Sequence, residues 1–206
     1  MSNGKGLKYR LLMAMSRAIG ALPDWFIYDW LGRFISFVLY RVAHYRVKVV
    51  RRNLNRAFPD KSQDELRQIE RDFYAHLGEL VIDTIDMANI SREDMAARLR
   101  VDNLAEHRAA TTDRPWVAMM AHYGCWEYFG AYQLHDERAQ VLGVYHPLRN
   151  EAFDEFYYTI RSRFGLLPVK MKDIARFAVR HRNGYEGRPV VFGMIADQRP
   201  PREAEN

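Results

Sequence analysis

One cysteine, Cys125, is all the thiol chemistry that the 206 residues hold. A lone thiol closes no internal disulfide and builds no multi-cysteine metal site, so neither device shapes this fold. Acidic residues are scarce at one end. The first 56 residues contain only Asp24 and Asp29, against eleven Lys or Arg. That segment carries +9, whereas the rest of the chain sums to −4 within an overall +5. Such asymmetry points to an anionic partner for the N-terminal part, with nucleic acid and anionic lipid as the candidates. Long apolar runs are missing too. The longest near the N-terminus, residues 34–40, is bracketed by Arg33 and Arg41, well short of the roughly 18–20 apolar residues that a spanning helix needs. Residues 11–15 are too few for a signal-peptide core, and Arg17 prevents a longer apolar run there. These absences predict a reducing compartment or no redox role at all, and a cytoplasmic chain that touches the bilayer from that side.

What is present suits a globular domain with a substantial core: 48% hydrophobic and 28% charged residues. Aromatics reach 13% and cluster early. After a predicted short helix over 7–20, a second over 24–40, with Asp24 as N-cap, carries Trp25, Phe26, Tyr28, Trp30, Phe34, Phe37 and Tyr40. Aromatics around a helix followed by a basic stretch suit a membrane interface. The competing reading is a core helix beside a basic surface. Residues 41–56 are expected to continue as a basic helix with Val42, Tyr45, Val49 and Leu54 on its apolar side, six Lys or Arg and no acid. At an anionic surface each basic residue is worth about 1 kcal/mol. No helix-turn-helix, RNA-recognition or zinc signature supports nucleic acid, which is therefore not expected as a partner. Pro59 breaks the chain, and Ser62-Gln63-Asp64-Glu65 reads as a capping box opening a packing helix to about Asn89. A further short helix begins near Ser91.

Beyond residue 98 short apolar runs alternate with helical patterns. Strands are expected over 98–101, 116–121, 141–145, 167–169 and 190–195, and helices over 104–110, 126–134, 151–164 and 173–181. The chain thus reads as α/β, with a basic and aromatic helical segment (1–58), a helical packing segment (59–97) and an α/β domain (98–206).

Residues 116–130 read WVAMMAHYGCWEYFG. An apolar strand ends at His122, Gly124 supplies a turn, and Glu127 opens the next helix. Ligands of open α/β sheets sit beyond the carboxyl ends of strands. Imidazole can take a proton from an attacking hydroxyl, and a carboxylate can fix its tautomer and stabilise the imidazolium. Five residues of one helix would leave the two side chains roughly 140° apart, so His122 must lie before the helix to meet Glu127. His-x-x-x-x-Glu alone is a weak signal, and a hydrogen-bonded structural histidine is its common explanation. Cys125 has no evident base. No second ligand stands at metal-binding spacing from His122, so neither a metal nor another cofactor is expected.

Other candidates lie at strand and helix ends. Arg149 suits a bidentate phosphate grip or a surface ion pair. Asn150 suits an N-cap. Arg161 and Arg163, before Gly165, suit the helix dipole or a phosphate. Asp197 and Gln198 end a strand, where they can order a site or make a turn.

Several stretches in register resemble the lipid A biosynthesis (late) acyltransferase family of the lysophospholipid acyltransferase superfamily: AHYGCWE (121–127), VYHPLRN (144–150), IRSRFG (160–165), ADQRP (196–200) and VKVVRRNLNRAFP (47–59). The resemblance covers most of residues 5–200. It implies a mixed-sheet α/β catalytic domain opening toward the bilayer, with His122 and Glu127 as the catalytic pair. It also implies an acyl thioester on acyl carrier protein as donor and a hydroxyl of a phosphorylated glycolipid, the lipid A precursor, as acceptor. The implied place is the cytoplasmic face of the bacterial inner membrane, held peripherally or monotopically. His146 stands where the family commonly has Arg, which weakens the expected grip on an anionic headgroup. The family also runs on past its Asp-Gln motif, so a chain ending at Asn206 is expected to lack the C-terminal part of the domain. A non-catalytic membrane-surface relative, or an enzyme acting on another glycolipid or a lysophospholipid, fits the same motifs. A hydrolase is disfavoured, because there is no Gly-x-Ser-x-Gly elbow.

Overall fold

Ser62 shows how directly this sequence writes its helices. Its hydroxyl accepts from Glu65 N at 3.3 Å while its own N–H donates to Glu65 Oε2 at 2.8 Å, and the long helix α4 (Gln63–Asp86) comes next. The computed structural model describes residues 6–111 and 114–197. They form two compact units, Ser16–Asn89 and the residues up to Met15 together with those from Ile90 onward.

The helical unit holds the end of α1 (Leu7–Gly20), then α2, residues 26–42, in which π-helical turns at Phe26–Gly32 and Val38–Val42 flank a regular turn at Arg33–Phe37. The expected basic helix from residue 41 is broken. His44 and Arg46 take left-handed φ of 48° and 54°, which cannot propagate a right-handed helix. The basic helix α3 therefore runs only over Val47–Ala57. Ile27, Tyr74 and Ile82 are buried at the centre of this unit. Small residues let α2 and α4 approach closely: a Cβ on Gly78 would sit 2.4 Å from the Gly32 carbonyl oxygen. Glu70, buried on α4, is gripped by Arg51 of α3, with Nε at 2.8 Å and Nη2 at 3.0 Å. Burial pushes the Glu70 carboxyl up, but the bonds from Arg51 and Tyr40 win and hold it below the ordinary carboxylate range. The other side of α2 is apolar and unburied, with Trp30, Phe34 and Phe37 exposed at helical spacing. Among the described residues no helix is long and apolar enough to cross a membrane.

The second unit is α/β. After α5 (Arg92–Arg98), capped by Ser91, and α6 (Leu104–Ala110) come β1 (Trp116–Met120), a 3₁₀ segment (Trp126–Leu134), β2 (Gln140–Tyr145), α7 (Glu151–Ser162), β3 (Leu167–Lys170), α8 (Ile174–Arg180) and β4 (Val190–Ile195). The strands lie in the order β1-β4-β2-β3. Every pairing among them is parallel, which corrects the expectation of a mixed sheet. Helical crossovers return each strand in the same direction. Residues 98–101 are not a strand, because α5 ends there. Leu99 and Val101 instead pack against Tyr132, Val141 and Leu166 on one face of the sheet. Ile174 and Phe177 of α8 cover Leu142, Val169 and Val190 on the other.

The insertion of β4 between β1 and β2 positions the site. Met120 pairs with Ile195, and Ala196 N donates to Met120 O at 2.9 Å. The carboxyl ends of two strands far apart in sequence are thereby adjacent.

Candidate active site

His122 lies two residues beyond β1, and Asp197 lies two residues beyond β4. The pairing of these strands brings them together. His122 Nδ1 is 2.8 Å from Asp197 Oδ1, and the His122 backbone N–H donates to Asp197 Oδ2 at 3.0 Å. One carboxylate thus holds both the ring and the backbone that carries it. The Trp126 ring stands edge-on to the imidazole, centroids 4.8 Å apart. Gly124, at φ 58°, makes the tight turn between them. The His122 N–H and then its ring hold the Asp197 carboxyl below the usual range.

Glu127 is bonded to a different partner in this arrangement. It opens the 3₁₀ segment and faces α7, where Arg161 binds it through two bonds, Nε to Oε2 at 2.7 Å and Nη2 to Oε1 at 2.5 Å. Both are largely buried, with side chains 11% and 22% exposed. A carboxylate leaving water needs such a partner, and the guanidinium supplies it. Burial alone would weaken the Arg161 charge, but the bonds and charge of Glu127 outweigh it. The Tyr145 and Tyr157 rings lie 5.6 and 5.0 Å from the guanidinium carbon.

An apolar pocket opens between these groups and the sheet. Met120, Trp126, Phe129, Val144, Leu166 and Ile195 line it, with Glu127 and Arg161 as its polar wall. Gly143 and Gly193, paired across β2 and β4, leave the space free: a Cβ on Gly193 would meet Phe129 at 2.5 Å, and one on Gly143 would meet Leu166 at 3.0 Å.

The remaining candidates separate. Arg149 is exposed in the loop after β2. Asn150 caps α7, its Oδ1 accepting from Ala152 N and Phe153 N at 3.0 and 3.3 Å, a structural task in itself. Arg163 comes just after the last turn of α7 with its guanidinium over Phe164. Gln198 lies outside the described residues. His146 Nδ1 is 3.0 Å from the Pro147 carbonyl oxygen. Among the described residues no group of three or more His, Cys, Asp or Glu is placed to hold a metal ion. No local pattern announces the pairing of Glu127 with Arg161, since only the packing of α7 on the 3₁₀ segment creates it. A basic residue in the last turn of a helix is its one trace in the sequence.

A comparison with curated proteins finds no match. The model of one family, described as bacterial lipid A biosynthesis acyltransferase, matches residues 6–205. With that match across nearly the whole chain, the protein belongs to the bacterial lipid A biosynthesis acyltransferase family and is an acyltransferase.

Proposed function

We propose that this acyltransferase moves a fatty acyl group from acyl carrier protein to a hydroxyl of a lipid A precursor, working at the cytoplasmic face of the bacterial inner membrane. His122 is the general base. With Nδ1 donating to Asp197, the neutral ring carries its lone pair on Nε2. That nitrogen takes the proton as the acceptor hydroxyl attacks the thioester carbonyl carbon. The C–O bond forms, the carbonyl π pair moves to oxygen, and the tetrahedral intermediate collapses with loss of the C–S bond. The imidazolium then returns its proton to the departing thiolate. Asp197 keeps the tautomer and stabilises the imidazolium.

Glu127 and Arg161 have a second part in this reading. A guanidinium has five N–H donors, and Glu127 occupies two. The others are available to the thioester oxygen of an acyl chain lying in the apolar pocket, where negative charge develops. Glu127 is then a positioning residue that aims Arg161. Arg149 contributes to binding the anionic acceptor or carrier. The aromatic face of α2 and the basic α3 hold the protein to the bilayer as a peripheral attachment.

The observation that carries the reading is the His122–Asp197 pair at adjoining strand ends, beside an apolar pocket with a buried cation. The test supplies labelled acyl thioester on acyl carrier protein together with a phosphorylated lipid A precursor in detergent. Acylated glycolipid and free carrier thiol should accumulate together. Thioester hydrolysis without acceptor acylation, at the same rate with acceptor omitted, would contradict it.

A further inference from the structure

The core leaves an apolar groove between α3 and α4 that the proposed chemistry does not use. It encloses about 310 Å³ and is lined by Tyr45, Arg46, Val49, Val50, Leu54 and Phe73 among others, at the lower end of the roughly 300–1,000 Å³ usual for ligand pockets. Tyr45 and Phe73 keep nearly half of their surface exposed, and Val49 about a third. The walls are fixed. Tyr74 donates its hydroxyl to the Tyr45 carbonyl at 2.5 Å, and Tyr45 N donates to Leu39 O at 2.8 Å. The Arg51–Glu70 bonds tie α3 to α4. Apolar surface in a rigid trough is worth more to a ligand than the same surface on a mobile seam, because less order is lost on binding.

Charge says what kind of ligand. No acid occurs on α3. Glu70 neutralises Arg51, whereas Lys48, Arg52 and Arg56 are exposed without an acidic partner among the described residues. On α3 the groove is lined from positions 49, 50, 53, 54 and 57, so Arg56, seven positions after Val49, flanks its edge, whereas Arg52 and Lys48 add positive charge from farther around the helix. Arg46 is itself part of the lining. A cationic rim beside a hydrocarbon-lined trough complements a molecule with a phosphate head and an acyl tail. Nucleic acid would leave the trough unused. The same unit exposes Trp30, Phe34 and Phe37 on α2, side chains of the kind that rest at a lipid interface.

We propose that this groove seats one acyl chain of an anionic phospholipid, with the lipid phosphate on Arg46. Adsorption to a charged surface needs only the cations, whereas this site withdraws a chain from the bilayer and so selects for a lipid, not for charge alone. The inference rests on the membrane-surface reading of this unit and not on the acyl-transfer chemistry.

The experiment uses the full chain and a short, monomeric probe, dioctanoyl phosphatidylglycerol, with dioctanoyl phosphatidylcholine as the neutral comparison. Methyl resonances of Val49, Val50 and Leu54 should shift saturably with the anionic probe and far less with the neutral one. Val49→Trp fills the groove, and excluding even two methylenes weakens affinity about tenfold. Arg46→Glu should weaken binding as much while leaving the lining of Val49, Val50, Leu54 and Phe73 intact. Acyl transfer to a detergent-dispersed acceptor should stay near wild type in Val49→Trp, so failure of the groove and failure of the enzymatic reading are separable. Equal binding of both lipids, or undiminished binding by Val49→Trp, would overturn the proposal. So would shifts of the same methyls by acyl carrier protein but by neither lipid, which would make the groove a protein-docking site.

Discussion

At the scale of single residues, Asp197 has the clearest consequence. Its carboxyl is held below the ordinary aspartate value by the His122 N–H and ring. A group whose folded value is depressed contributes stability that is full above its unfolded value, about 3.9, and is lost as pH falls through the folded value. Asp197→Asn removes that contribution. The stability difference between wild type and variant, read from denaturant unfolding, should be constant near neutrality and shrink as pH drops below about 4. A difference that grows on acidification would mean that the carboxylate does not hold His122 as described. Arg149, exposed in the loop after β2, acts on binding in the proposed reading. Arg149→Ala should therefore raise KM more than it lowers kcat, and a loss confined to kcat would move it into the transition state.

At the scale of elements, much was legible and some was not. The apolar runs at 116–121, 141–145, 167–169 and 190–195 became β1 to β4, because strands of a parallel sheet read as continuous hydrophobic stretches even where, as at Val117 and Met119 of the edge strand β1, side chains stay exposed. Ser62, Ser91 and Asn150 announced their helices as caps. The break at His44 and Arg46 was hidden, since Arg does not favour a left-handed backbone and His adopts one only in a minority of cases. The pairing of His122 with Asp197 was hidden for a different reason. Seventy-five residues separate them, and only the insertion of β4 beside β1 brings them together. Strand order is a property of the sheet and not of any local pattern, whereas Glu127 stands only five residues along the chain. Gly78 marks the tightest crossing of α2 and α4. Gly78→Ala would drive a methyl into the Gly32 carbonyl, and overpacking of that kind typically destabilises by about 1–3 kcal/mol. A lower melting temperature is expected. Unchanged melting would show that the two helices part easily.

For the whole molecule, the decisive feature is the uneven charge: +9 on residues 1–56 and −4 on the rest, with aromatic side chains exposed on the basic part. Attachment to anionic vesicles should then have two components. Salt screens the cations, whose field fades over about 8–10 Å at physiological ionic strength, but leaves apolar insertion in place. Replacing Trp30, Phe34 and Phe37 together by Ala removes side chains worth up to about 1.5–3 kcal/mol each when fully buried, so retention in high salt should fall by more than about tenfold. Complete release of wild type by salt alone would mean that the aromatic face contributes little. Full solubility beside anionic vesicles in low salt would remove the membrane reading altogether.

The central claim is that His122, held by Asp197, is the base for acyl transfer, and a double-mutant cycle on turnover tests it most directly. Acyl transfer from acyl carrier protein is measured for wild type, His122→Ala, Asp197→Asn and the double variant, with melting recorded for each. Loss of a general base typically lowers the rate about 10²–10⁴-fold. The account predicts losses of that order in His122→Ala, a severe loss in Asp197→Asn, and a double variant little worse than the worse single one, as for residues that act as a unit. Near-normal turnover by a well-folded His122→Ala would contradict it.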